Sequence, residues 1–200
     1  MIVRRTVRLT RAARSHDTTV RAVRARIPDD IAVMVDYNQA LTVPEAVRRA
    51  RALDDEGVYW IEEPIRHDDF KGCAEVVGAA RTPVQIGENF SQVHDMQKAL
   101  DAGACDYVMP DLERIGGVTG WRRASALAAD SRMPMSSHLY PEVSAHLLAA
   151  TPTAHWLEYV DWMNRLLVEP LKIVEGQAVP SDRPGVGLKW SDEAVRRHAC

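Results

Sequence analysis

The sequence predicts an α/β fold, an incomplete (β/α) TIM-type barrel with about six βα units. Three observations carry this. Short apolar runs end in a polar residue at Asp36, Glu62, Glu88, Asp111, His138 and Glu158. The steps between them are 26, 26, 23, 27 and 20 residues, about the length of one strand plus a returning helix. Helix signals alternate with these runs, so the strands should be parallel, with their C-terminal ends at one mouth, where barrels build active sites. A complete eight-unit barrel typically needs about 250 residues, and this chain has 200.

Residues 1–16 show no clean period. Arg4, Arg5, Arg8, Arg11 and Arg14 come with no acid among them; an organelle transit peptide has that look, and an irregular or damaged start explains it as well. Asp17 or Thr18 starts a helix through Arg26, with Val20, Val23 and Ile27 at helical spacing. Pro28-Asp29-Asp30 turns the chain into a strand from Ile31 to Val35. Thr42 and Glu45 make a capping-box pair around Pro44, Val47, Ala50 and Leu53 share one face, and Gly57 supplies the left-handed end. A strand over Val58–Ile61 leads to Glu62. Helices follow at Phe70–Ala80, Ser91–Ala102, Val118–Ala129 and from Pro141 towards Thr151, with a strand from Val84. After Glu158 the rhythm fails. Leu166–Val168 and Leu171–Val174 read as short strands, and the stretch to Gly187 as a surface excursion. The organisation expected is a start over 1–16, one barrel domain over 17–190 and a tail over 191–200.

A net charge of −3 with 26% charged residues argues against nucleic-acid or membrane-surface partners. Cys73, Cys105 and Cys200 form no CxxC pair and read as reduced thiols of a cytoplasmic protein. No apolar run approaches the roughly 18–20 residues that span a bilayer.

The chemistry is at the strand ends. Asp36, Glu62 and Glu88 would repel one another if packed together, unless some stayed protonated. A hard divalent cation such as Mg²⁺, with Mn²⁺ as a substitute, resolves this by taking carboxylate oxygens and keeping positions for substrate. A single such acid is better explained as a helix cap or an Arg partner; three at matching strand ends favour the metal. His138 is a candidate base, with Asp111 from the preceding strand end fixing its tautomer. The other histidines read as ordinary core or surface residues. No HExxH stands near His138 and His146, and Gly116-Gly117 lacks the Lys-Ser/Thr of a phosphate loop. A protonated Glu158 would hydrogen-bond a substrate carboxylate.

The segments DYNQ, WIEEP, IGEN, MPDLERIGGVTGW, PMSSHL and SAHLLAATPTAHWLE resemble the barrel domain of the enolase superfamily, in its mandelate racemase and muconate lactonizing branch. The resemblance implies Mg²⁺ on Asp36, Glu62 and Glu88, substrate contact by Asn38, proton movement by His138 with Asp111, and polarisation of the substrate carboxylate by Glu158. The implied reaction removes the proton α to a carboxylate, as in racemisation of a small 2-hydroxy carboxylate. The alternatives are dehydration of an acid sugar, or an impaired fragment. The resemblance also implies a homo-oligomer for the intact family. One departure stands out: a Lys-x-Lys strand end is expected before the first metal ligand, yet Arg5 and Val7 occupy its place, and the lysines are Lys71, Lys98, Lys172 and Lys189. The family's capping domain and first barrel strand are expected to be missing. Poor stability and feeble activity are expected of such a chain.

Overall fold

The computed structural model describes residues 2–4, 7–8 and 16–198. Arg5, Arg11, Arg14 and Cys200, to which expectations are attached above, lie outside the described residues. The elements in order are β1 (Ile2–Arg4), β2 (Val7–Arg8), α1 (His16–Arg24), β3 (Val33–Asp36), α2 (Val43–Leu53), β4 (Val58–Glu62), α3 (Phe70–Ala79), β5 (Val84–Ile86) and α4 (Gln92–Asp101). There follow β6 (Tyr107–Val108), α5 (Gly117–Asp130), α6 (Pro141–Ala149), β7 (Trp156–Glu158), β8 (Lys172–Val174), β9 (Gln177–Val179) and α7 (Asp192–His198).

Strands β2-β3-β4-β5-β6 form one sheet in that order, every neighbour parallel. Single parallel bridges continue the curve from Val108 to Met135 and from Met135 to Ala154, and a further one joins Asp111 to His138. Strand β7 begins two residues beyond Ala154, and β1 runs parallel to it. Among the described residues the ladders fall into two sheets, of five and four strands, and do not close as one ring. The α/β barrel is therefore incomplete, as expected.

Several expectations need correction. The first barrel strand is not wholly missing: Val7 and Arg8 pair with Val35 and Asp36, while Ile2–Arg4 pair with Trp156–Glu158. The outer edges of β3 and β7 present backbone groups that need partners, and the N-terminal segment supplies some. The strand expected from Ile31 begins at Val33, and Ile31 is 49% exposed. No strand covers Leu166–Val168. A 3₁₀ turn takes Asn164–Leu166, and Leu167 makes one antiparallel bridge to Trp190. The excursion to Gly187 contains β9, which pairs antiparallel with β8. The bounds of the helices expected from Phe70, Ser91, Val118 and Pro141 agree to within two residues.

Local chemistry explains why these helices stand where they do. At the start of α2, the Thr42 backbone N–H (3.2 Å) and hydroxyl (3.0 Å) both donate to Glu45 Oε2, occupying groups that would otherwise be orphaned. Gly57 adopts φ +66° beyond the helix. Inward side chains such as Leu53, Ile61, Val76, Met96, Met135 and Leu148 form a continuous core between strands and helices. Cys73 and Cys105 are buried free thiols, pushed up to about 12 by burial. No helix among the described residues is long and apolar enough to cross a membrane.

The loop entering β5 is pinned by Asp54. Its Oδ1 accepts from Arg81 N (2.9 Å), Thr82 N (2.8 Å) and Thr82 Oγ1 (2.9 Å). Burial by itself would raise this carboxyl, but the Thr82 and Arg81 donors outweigh it and hold it below the usual carboxylate range. Because the folded-state value is depressed, the stabilisation is present above the ordinary carboxylate range and is lost as pH falls through the depressed value. Asp54→Ala should cost about 2–3 kcal/mol in urea unfolding at neutral pH. The gap from wild type should narrow in acid.

Candidate active site

The mouth is assembled by strand register. Asp36 and Glu62 are direct partners in the β3–β4 ladder, so two carboxylates end adjacent strands side by side. Asp36 Oδ1 accepts from the Asn38 N–H at 2.7 Å, in a turn where Asn38 and Gln39 take φ +45° and +62°. Glu62 Oε2 accepts from the Trp60 indole (3.0 Å) and from Gln85 Nε2 (3.3 Å). Asn38 Nδ2 reaches Glu88 Oε1 at 3.4 Å, which ties the first and third carboxylates together.

Glu88 reaches the mouth because Gly87 lets the chain bend after β5. Gly87 has φ +139°, and a Cβ there would lie 2.9 Å from both Met109 N and the Phe90 ring. No L side chain fits that backbone without strain. Gly87→Ala should destabilise the fold by about 2–3 kcal/mol in chemical denaturation and displace the Glu88 carboxylate.

The imidazole stands opposite. His138 Nδ1 lies 2.7 Å from Asp111 Oδ2, while Asp111 Oδ1 accepts from Glu113 N (2.8 Å) and Arg114 N (3.0 Å). The other ring nitrogen, Nε2, faces the mouth, 3.3 Å from Glu88 Oε2 and 4.0 Å from Glu158 Oε2. Glu158 is held by the Leu139 N–H at 2.9 Å. All seven side chains singled out from the sequence, Asp36, Asn38, Glu62, Glu88, Asp111, His138 and Glu158, thus line one region.

The electrostatics follow from crowding. Burial would lower His138, but Asp111, Glu158 and Glu88 outweigh it and raise the imidazole. Burial would raise Asp111, but the His138 hydrogen bond and the Arg114 and Glu113 amides hold it down. Glu88 is raised by burial, with the His138 charge opposing and Glu62 and Glu158 adding. One member was missed from sequence: Glu63, 1% exposed, is pushed up to about 8 by burial and by the charges of Glu88, Glu62 and Asp36. Its Oε2 accepts from Asn89 Nδ2 at 2.8 Å, while Oε1 has no hydrogen-bond partner. The doubled acid of WIEEP was its only signal. Arg114, whose Nη1 donates to the Glu88 carbonyl at 3.0 Å, was missed as well.

Asp36, Glu62 and Glu88 are 3%, 2% and 7% exposed. Among the described residues, no group of three or more His, Cys, Asp or Glu side chains stands as a ready-made ion cage. Each carboxylate is instead engaged by its neighbours: Asn38, Trp60 with Gln85, or His138. The donor set still fits Mg²⁺, because it consists of hard carboxylate oxygens gathered in a buried setting, where burial and the neighbouring Glu62 and Glu158 charges raise Glu88.

Residues 6–194 match the family described as Enolase C-terminal domain-like. The chain belongs to this family. Among solved structures, an enolase from an alphaproteobacterium, BAL199, with bound Mg is 45% identical with a TM-score of 0.90, covering 95% of this chain and 53% of that one. An enolase from Bradyrhizobium, complexed with magnesium and mandelic acid, is 39% identical with a TM-score of 0.90, covering 96% and 54%. Among curated relatives, the L-talarate/galactarate dehydratase of Salmonella typhimurium is 35% identical over 175 residues, 88% of this chain and 44% of that protein. Other relatives in this family are named as dehydratases, cycloisomerases and synthases. The chain spans about half the length of the curated relatives it matches.

Proposed function

We propose that this chain carries the catalytic mouth of a Mg²⁺-dependent enzyme that removes the proton α to the carboxylate of an acid sugar and expels the β-hydroxyl as water. The observation that carries the reading is His138: Asp111 holds Nδ1, and Nε2 is aimed into the ring of carboxylates. Asp36, Glu62 and Glu88 would hold the ion, which, when bound, neutralises negative charge developing on the substrate carboxylate.

The protein's own steps follow from the positions of its groups. Asn38 and Glu158 orient the substrate by hydrogen bonds to its polar groups, Glu158 from beside the His138 imidazole. With Nδ1–H directed at Asp111, Nε2 carries the lone pair that accepts the α-proton. The electron pair of the broken C–H bond delocalises into the carboxylate, then forms the new C=C bond as the β C–O bond breaks. The proton on Nε2 leaves with the hydroxyl as water, and the enol product tautomerises to a 2-keto-3-deoxy acid. One proton carrier suffices for this sequence. Racemisation of a 2-hydroxy acid needs a second carrier on the opposite face, and the lysines lie on α3, α4, β8 and next to Trp190.

Racemisation was the leading expectation from sequence. The names of the curated relatives favour dehydration, its alternative, while the relative complexed with mandelic acid keeps racemisation as a second reading. Incubation with D-gluconate or galactarate and Mg²⁺, followed by semicarbazide trapping of 2-keto acids, tests the choice. A chelator-sensitive keto acid is the expected product. Inverted mandelate with no keto acid from any acid sugar would support the second reading.

A further inference from the structure

Helix α6 starts three residues after the mouth imidazole and carries a second unusual acid. Glu142 sits in the first turn of the helix, where a carboxylate ordinarily faces water, yet it is 6% exposed. Its Oε1 has no hydrogen-bond partner. An unsatisfied buried oxygen costs about 1–3 kcal/mol, so its placement calls for a physical reason.

Glu142 borders a cavity of about 400 Å³ whose far wall is the β8–β9 hairpin and the chain that follows. That volume falls in the range, on the order of 300–1,000 Å³, of small-molecule sites. His146, one turn along α6, borders the same space. The β8–β9 hairpin and the chain after it contribute Lys172, which makes no ion pair among the described residues, and the Ser181 hydroxyl, which accepts from the Arg183 N–H at 3.2 Å. Arg183 is paired with Glu169 at the rim, and the remaining acid there, Asp182, is solvent-exposed. Leu171, Val179, Val186 and Leu188 add apolar lining.

None of the mouth residues lines this cavity. We propose that it is a second binding site, for a small hydroxylated carboxylic acid, with the ligand carboxylate at Lys172 and a hydroxyl hydrogen-bonded to Glu142. Burial pushes the Glu142 carboxyl up, which suits a group that both donates to and accepts from a hydroxyl without adding charge. The site does not depend on the metal or on the reaction assigned to the mouth.

The test is a methyl-resolved NMR titration of the protein with D-gluconate, with and without Mg²⁺, using acetate and glycerol as probes that each lack one pole. Shifts are expected at Val179, Val186 and Leu188, which line the cavity, in either condition and at lower concentrations than acetate or glycerol require. Lys172→Ala, a change at an exposed position, should weaken this binding about tenfold, the equivalent of roughly 1.4 kcal/mol. Glu142→Gln, which keeps the shape, should weaken it less. The proposal is overturned if gluconate moves only Val35 and Ile86 beside the mouth, if Lys172→Ala leaves the cavity shifts unchanged, or if acetate and glycerol match gluconate. Loss of turnover with the cavity shifts intact would count against the mouth and not against this site.

Discussion

His138→Asn should lower Mg²⁺-dependent turnover by about 10³-fold, within the 10²–10⁴ that a positioned acid–base group contributes. Asparagine keeps a polar group towards Asp111, but its amide is far too weak a base to accept the α-proton. The loss should fall on kcat, with KM little changed, because in the proposed mechanism Asn38, Glu158 and the ion would orient the substrate. Asp111→Asn should act through the same imidazole. An amide can present its N–H to Nδ1 and so favour the wrong tautomer, and a loss approaching that of His138→Asn is expected. If both variants retained full activity while another mouth variant abolished it, proton transfer would belong elsewhere.

The second large effect concerns the carboxylates. Glu88→Gln should weaken Mg²⁺ binding at least about 100-fold by isothermal titration, since replacing a charged oxygen by a neutral one removes several kcal/mol at a hard cation and each 1.4 kcal/mol is tenfold. The melting temperature should respond in the opposite sense. Glu88 is raised by burial and by Glu62 and Glu158, so in metal-free buffer the amide should relieve repulsion and leave stability unchanged or slightly higher. With added Mg²⁺, wild type should gain stability by mass action and the variant should not. A purely structural acid would lose stability in both buffers.

The parts of this site that could be read from sequence are those fixed by chain period. Asp36 and Glu62 end apolar runs 26 residues apart and emerge as direct neighbours across β3 and β4, because one βα unit advances the chain by one strand. The Asp111–His138 pair has the same origin, and its 2.7 Å contact follows from the parallel bridge between those residues. Glu63 was hidden because it directly follows Glu62, and strand alternation assigns only one of two consecutive residues to the mouth. The φ of +36° at Glu63 breaks that alternation and leaves its carboxyl buried near the others. Glu142 was unreadable for a different reason: an acid in a first helical turn is commonplace, and no local pattern announces its burial or the cavity it shares with the distant β8–β9 hairpin. The pairing of β1 with β7 depends on residues some 150 positions apart, which no local pattern announces. Leu166–Val168 shows the ordinary ambiguity of short apolar runs, which suit a strand or a helical turn equally.

The most direct measurement is deuterium incorporation at the α-carbon of an acid sugar in D₂O, followed by mass spectrometry and NMR. The prediction is Mg²⁺-dependent exchange at that carbon alone, at whatever slow rate this chain supports, abolished by chelation and by His138→Asn. Folded, Mg²⁺-loaded protein that leaves the α-proton in place on every acid sugar and on mandelate, or exchange that persists undiminished in His138→Asn, would contradict it.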